Sequence, residues 1–430
     1  MEELFALAER HLIRYSRSFC PRIIREARGS VLIDREGREI LDFTSGQICS
    51  TIGHNHPRIV EAVEAACRRV IHLNSWMLTE EVIRLAERLA GLLPPPLEKV
   101  ILLNTGSESN EVAFRLARIH TERPGLAGLT QSFHGLTAGA ASLTFSVGRA
   151  GYGPGLPGTY ALPAPYAYRC PLKRDCGTCD LACLEAGLQL LDAQAAGSVA
   201  AVVAEPILSS GGIIEPPPGY FRRLQAECRA RGMLLILDEA QTGFGRLGTM
   251  FGFEQDGVVP DILAVSKTLG GGLPLAATVT SSAIEADAFQ KGFFHITSHV
   301  SDPLPAAVGL AVLDVIQEER LVEAAAKRGA YLKERLQELA REHEVIGDVR
   351  GRGLLLGVEL VRDRESKAPA EEWGARITEE CLARGLSMNI IRAGGAASAL
   401  RIAPPLTITE AELDRGVAIL DEAIRAVVYS

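Results

Sequence analysis

Short apolar runs that stop abruptly at a polar group, each followed by an amphipathic stretch, recur through the middle of this chain. VILLNTGSESNEVAFRLARIH, LAGLTQSFHG, VAAVVAEPILSSGG, MLLILDEAQTG and DILAVSKTLGGG alternate strand with helix. Runs that are apolar throughout belong to strands buried on both faces, so the pattern predicts a mainly parallel sheet flanked by helices. This α/β segment is expected to form a large domain over residues 73–316. Residues 1–72 read as an amphipathic helix, a hairpin turning at Glu36-Gly37 and a Gly/His loop, an arm expected to pack with the small domain. Over 317–430 a long amphipathic helix leads into a strand, followed by another helix, strand and helix, which predicts a smaller α/β domain.

The chain has 430 residues, 47% of them hydrophobic, enough for a large core. A formal charge of -8 with scattered Lys and Arg argues against nucleic-acid binding. No apolar stretch reaches membrane-spanning length and the N-terminal helix lacks a signal-peptide core, so no membrane contact and a cytoplasmic location are expected. Five of the nine cysteines are dispersed and read as inert: Cys20, Cys49, Cys67, Cys228 and Cys381. The other four, Cys170, Cys176, Cys179 and Cys183, have spacing that suits zinc or an iron–sulfur cluster; the competing reading is a surface excursion whose thiols meet no metal.

Chemistry concentrates where the apolar runs stop. Asp238 ends MLLILD and Lys267 follows DILAVS, the places where a parallel strand delivers a functional side chain. A carboxylate there can hold a pyridinium nitrogen protonated, and a lysine can form a Schiff base with an aldehyde, which together suggest pyridoxal phosphate. The plainer alternatives are that Asp238 caps a helix from Glu239 and that Lys267 ends a strand on the surface. Gly270, Gly271 and Gly272 leave room for a flat ring, and Gln241, expected one helical turn beyond Asp238, can reach a ring substituent. In NTGSESNE the backbone around Gly106 and Ser107 opens a helix whose positive end suits a phosphate, although the same residues also make an ordinary cap. Phe133, expected to end a strand just before His134, offers a ring that stacks on a cofactor or simply fills the core. Gln47 and Arg401 are polar groups in apolar settings; the guanidinium fork of Arg401 matches a substrate carboxylate, with a structural salt bridge as the competing role.

TSGQ at 44–47, NTGSESNE at 104–111, AEPILSSGGII at 204–214, LLILDEAQTG at 234–243, SKTLGGGLPLAA at 266–277, HVSDPLPAAVGL at 299–310 and RIAPPLT at 401–407 carry a resemblance over nearly the whole length. The chain resembles the class III aminotransferases of the fold type I pyridoxal phosphate enzymes, and within them the 2,2-dialkylglycine decarboxylases. The resemblance implies that Lys267 carries the cofactor and shuttles protons, Asp238 pairs with the ring nitrogen, Gln241 contacts the ring hydroxyl and Phe133 stacks. It assigns the phosphate to Gly106 and Ser107, with Ser298 from a second subunit, so the unit is a homodimer or a larger homo-oligomer such as a tetramer. Gln47, Ser210 and Arg401 are implied as the substrate pocket, and Leu73, Ser75, Ser298, Val300 and Asp302 as a site for K+ or Na+. The expected substrates are an amino acid and a 2-oxo acid: decarboxylation of a dialkylglycine coupled to transamination of pyruvate, or transamination of an ω-amino acid or amine without loss of carbon dioxide. Phe133 replaces a tryptophan of the decarboxylases, Leu136 a methionine and Ser298 a threonine, and the cysteine segment departs from their pattern. A third reading is a non-catalytic protein whose cysteine cluster serves binding or sensing.

Overall fold

Strands of this chain are short, those of the central sheet mostly buried, and among the described residues they assemble into three sheets. The computed structural model describes residues 2–15, 19–146, 151, 153–173, 179–392 and 398–429. The arm contributes β1 (Ile24–Arg28), β2 (Val31–Asp34) and β3 (Glu39–Asp42), with Gly37 at φ 82 making the tight β2–β3 turn.

The central sheet draws on β4 (Lys99–Leu103), β5 (Gly125–Leu129), β6 (Thr159–Leu162), β7 (Val199–Ala204), β8 (Leu234–Asp238), β9 (Ile262–Val265) and β10 (Ala276–Thr280). Their spatial order is β4-β10-β9-β8-β7-β5-β6. The pairings from β9 through β6 are parallel, while β10 runs antiparallel to both of its neighbours. Every residue of β5, β7, β9 and β10 is buried, as the unbroken apolar runs require. Helices Gly106–Thr121 and Pro303–Glu318 carry much of the surrounding core, with Phe114, Val308, Val312 and Leu313 inaccessible to solvent.

The C-terminal part differs from its expected single strands. VIGDVRGRGLLLGVELV folds back as an antiparallel hairpin of β11 (Ile346–Arg352) and β12 (Leu355–Leu360), because Gly351 and Gly353 take φ 108 and 54. Beyond helix Glu371–Ala383 come β13 (Leu386–Ser387), β14 (Asn389–Arg392) and β15 (Ser398–Ile402). Sheet order is β11-β12-β15-β14, while β13 leaves it to pair in parallel with β3 of the arm. Helix Glu410–Val428 closes the chain from a capping box in which Thr409 and Glu412 satisfy each other's backbone N–H groups. No helix among the described residues is long and apolar enough to cross a membrane.

One buried arginine joins arm, central sheet and C-terminal sheet. Arg246 donates to the carbonyls of Leu354 (3.1 Å) and Pro404 (2.5 Å) and to the hydroxyls of Ser45 (3.2 Å) and Thr51 (3.0 Å). Thr268, beside Lys267, donates to the same Thr51 hydroxyl at 2.8 Å, so the loop bearing the lysine is keyed to the arm.

Candidate active site

The end of β8 is polar because its carboxylate is surrounded by donors. Asp238 Oδ2 accepts from Asn110 Nδ2 and pairs with His134 Nδ1, both at 2.8 Å, while Oδ1 accepts from the Ala240 N–H at 3.0 Å. Burial pushes this carboxyl up, yet the His134 and Asn110 hydrogen bonds and the Lys267 charge outweigh it and hold Asp238 below the usual carboxylate range. No helix starts at Glu239; the chain turns there, so Asp238 caps nothing and Gln241 reaches the site from a turn. Lys267 sits past β9 as the first residue of a 3-10 turn, Lys267–Gly270, with φ 52 in a region that side-chain-bearing residues seldom adopt. Burial depresses its ammonium and the Arg401 charge adds to this, against the opposing pull of Asp238 and Cys49.

Lys267, Asp238, Phe133, Ser107, Gln241 and Glu205 line one cavity of about 120 Å³. Phe133 faces it from a turn beyond Leu129 rather than from the end of β5. Helix Gly106–Thr121 points its N-terminus at the same space, capped by Thr105, whose hydroxyl accepts from the Glu108 N–H at 3.3 Å. Both readings of NTGSESNE therefore hold: the segment caps a helix and faces the cavity. Ser107 Oγ accepts the Leu136 N–H at 3.2 Å, and a Cβ at Gly135 would lie 2.0 Å from that oxygen, so only glycine fits there.

The unsatisfied atoms reveal what is missing. Ser266 Oγ, Asn110 Oδ1 and His134 Nε2 are buried without a hydrogen-bond partner among the described residues. A Cβ on Gly106 would stand 2.9 Å from Ser266 Oγ, so backbone and hydroxyl meet at the helix N-terminus. Buried polar atoms are seldom left unpaired. A group with a phosphate and a polar flat ring supplies the partners, so the residues present fit pyridoxal phosphate.

On the substrate side, Gln241 Oε1 accepts from Ser209 Oγ (2.8 Å) and Arg401 Nη1 (3.2 Å), and its Nε2 donates to Ser210 Oγ (3.4 Å). Arg401 on β15 is 7% exposed; burial pushes its guanidinium down to about 10, with Glu205 pulling the other way. Glu205, immediately after β7, accepts the N–H groups of Phe133 (2.9 Å) and Ser209 (3.3 Å), and burial raises its carboxyl to about 7. Gln47 is exposed and does not line the cavity; it lies in a turn, Ser45–Ile48, where it takes φ 65, and that turn touches the Lys267 turn. Asn110, His134, Glu205, Ser209 and Ser266 escaped the sequence reading; Cys49, read there as inert, lies near the lysine, its thiol pushed up by burial against the opposing pull of the Lys267 charge.

Other expected residues lie elsewhere. Ser298 is exposed, outside the lining of this chain's cavity. Ser75 donates to the Thr297 carbonyl at 2.9 Å, Val300 is buried, Leu73 is half-buried, and both Asp302 oxygens are engaged by histidines. Cys170 and Cys179 are half-buried and Cys183 buried; Cys176 lies outside the described residues.

Comparison with known proteins agrees with this geometry. The aminotransferase class-III family model matches residues 14–424. The chain is 45% identical over 418 residues to an uncharacterized aminotransferase of Schizosaccharomyces pombe, covering 97% of this chain and 93% of that protein. It is 36% identical over 424 residues to the leucine/methionine racemase of Thermococcus litoralis, covering 96% and 94%. A solved Bacillus anthracis aminotransferase superposes with a TM-score of 0.93 at 30% identity, covering 99% of this chain and 98% of that one. The chain belongs to the class III aminotransferase family, and its fold is that of the fold type I enzymes.

Proposed function

We propose that this protein is a pyridoxal phosphate enzyme that decarboxylates 2,2-dialkylglycines such as 2-aminoisobutyrate and passes the amino group to pyruvate, giving carbon dioxide, a ketone and L-alanine. The observation that carries this reading is Arg401, a buried guanidinium that has a neutral amide as its hydrogen-bonding partner beside the lysine and aspartate. A substrate carboxylate completes its fork.

The cofactor is assigned to Lys267, Asp238, Gln241, Phe133, Gly106 and Ser107, with Ser298 reaching the phosphate from a partner subunit. When bound, pyridoxal phosphate supplies an electron sink, so that the substrate bond standing perpendicular to its ring is the one that breaks. Asp238, anchored by Asn110 and His134, keeps negative charge at the ring nitrogen. Lys267, its ammonium depressed by burial, is placed to take or return a proton at Nζ. Arg401 holds one carboxylate in place, and the choice between decarboxylation and transamination then depends on which group stands perpendicular. Ser210, bonded to Gln241, is assigned to the substrate side, and Gln47, outside the cavity lining of the single chain, is assigned to the pocket's rim from the arm turn beside the Lys267 turn.

The second reading, transamination of an ω-amino acid or amine without decarboxylation, fits the same family. Incubating cofactor-loaded enzyme with 2-aminoisobutyrate and pyruvate, and measuring carbon dioxide, acetone and alanine together, separates the two. Equal amounts of all three are expected. Alanine formed only from amine or ω-amino donors, with no carbon dioxide, would replace the first reading by the second. Lys267→Ala should abolish both turnover and the visible absorbance of the lysine-bound cofactor; full turnover without Lys267 would refute the assignment.

A further inference from the structure

Away from the cavity, two histidines and a carboxylate from distant parts of the chain converge. His72 lies in the loop between helices Pro57–Arg69 and Glu80–Gly91, whereas His299 and Asp302 immediately precede helix Pro303–Glu318. His72 Nδ1 is 2.7 Å from Asp302 Oδ1, and His299 Nδ1 is 2.6 Å from Asp302 Oδ2. The two imidazole centroids are 4.9 Å apart, and one ligand atom from each of the three residues lies within 4.8 Å of the others. In the single chain the carboxylate is 11% exposed and the rings 46% and 61%.

We propose that His72, His299 and Asp302 form a binding site for a divalent transition-metal ion of the zinc type. Two imidazole nitrogens and a carboxylate oxygen are a donor set suited to zinc and its neighbours, and three protein ligands leave a position for water. Ligand atoms around tetrahedral zinc stand roughly 3.3 Å apart, given bonds of about 2.0–2.1 Å. The two hydrogen-bonded contacts, 2.6 and 2.7 Å, need to open toward that spacing, and the remaining separations, which lie within 4.8 Å, need to settle to it, both by rotation of the two imidazole rings. On binding, the ion takes the place of the hydrogen between each imidazole and the carboxylate; each ring binds through Nδ1 as its neutral tautomer, with its one ring hydrogen carried on Nε2.

This site differs from the alkali-ion site expected from the resemblance. K+ or Na+ takes oxygens, from Leu73, Ser75, Ser298, Val300 and Asp302, and has no use for imidazole nitrogen. Here both Asp302 oxygens face histidine nitrogens, and the Ser75 hydroxyl points its proton at the Thr297 carbonyl. A bound transition metal ties the 70–79 loop to the 297–302 segment that carries Ser298.

Equilibrium dialysis of chelator-treated, cofactor-loaded, full-length enzyme against zinc tests the site, alongside His72→Ala and His299→Ala, with cobalt(II) as a spectroscopic probe. The expected result is one zinc per chain, bound at least about tenfold more weakly in each variant, and a cobalt spectrum without thiolate charge-transfer bands. Both substituted side chains are substantially exposed, so the variants should fold, which circular dichroism checks. Absence of saturable zinc binding would overturn the proposal and leave a hydrogen-bonded carboxylate clasp. Binding unchanged in both variants, or thiolate bands from cobalt, would equally overturn it and assign the metal to the cysteines.

Discussion

Two buried arginines of the C-terminal sheet, one on either side of β12, face opposite circumstances. Arg350 on β11 pairs with Glu359 at 2.5 Å and Asp348 at 2.9 Å, donates to the Gly212 and Ile213 carbonyls, and lies 4.9 Å from the Tyr166 ring centroid. Its guanidinium stands above its usual range because Tyr166, Glu359 and Asp348 outweigh burial. Arg401 on β15 hydrogen-bonds the Gln241 amide and, among the described residues, forms no ion pair with a carboxylate, and burial pushes it down to about 10. The carboxyls mirror them. Burial acts on both, but Arg350 and Tyr166 hold Glu359 below its usual range, whereas Glu205, near Arg401, rises to about 7. An arginine satisfied by its own protein builds the fold; one left short of an anion beside the lysine proposed to carry the cofactor is set to receive one from outside.

The largest way to break this contrast is to remove the satisfied arginine. Arg350→Ala leaves the buried Glu359 carboxylate with Arg169 (2.8 Å) and the Tyr166 hydroxyl (2.6 Å) as its remaining partners and should cost about 3 kcal/mol of stability, read as a lower denaturant midpoint, while activity per folded molecule changes little. Equal stability would show that the pairing is incidental.

A smaller effect distinguishes the carboxyls by pH. A carboxyl raised from 4.5 to about 7 on folding favours the native state while protonated, and that advantage is lost as pH rises from 4.5 through 7. Relative to Glu205→Gln, the wild type should therefore lose up to about 3 kcal/mol over that window, at 1.36 kcal/mol per unit. Urea midpoints at several pH values measure it; parallel curves for the two proteins would remove Glu205 from the list of strained groups.

The smallest shift is expected from Arg401 itself. Because the protein only partly compensates its charge, Arg401→Gln should change stability by about 1 kcal/mol or less, upward as readily as downward. Thermal denaturation in the absence of substrate provides the comparison, and a loss as large as that of Arg350→Ala would make Arg401 structural.

The sequence made the central strands legible for a physical reason: a doubly buried strand is apolar throughout, so its end is visible as the first polar residue. That signal located Asp238 and the Lys267 turn. The same signal marks Glu205 at the end of VAAVVA, where strand β7 stops in the same way. Asn110 and His134 were hidden because a helix face and a turn bring them to Asp238 from 128 and 104 residues away. The β11–β12 hairpin was hidden because β11 carries Asp348, Arg350 and Arg352, so only the apolar run of β12 reads as a strand. Nor could residue type separate Arg350 from Arg401, since only their partners differ. Gln47 illustrates the converse: its apolar setting suggested the pocket, yet in a run of four consecutive arm residues at positive φ, Ser45 to Ile48, its side chain is exposed, beside the Lys267 turn but outside the cavity lining.

The most direct measurement is the single-turnover reaction of cofactor-loaded wild type and Arg401→Gln with 2-aminoisobutyrate, followed by the visible absorbance as substrate concentration is raised. If Arg401 holds the substrate carboxylate, the half-saturating concentration should rise about a hundredfold, the loss of a bidentate charge-assisted contact, with the folded protein and its cofactor absorbance intact. Equal half-saturation in the two proteins would contradict it and send the carboxylate to another group.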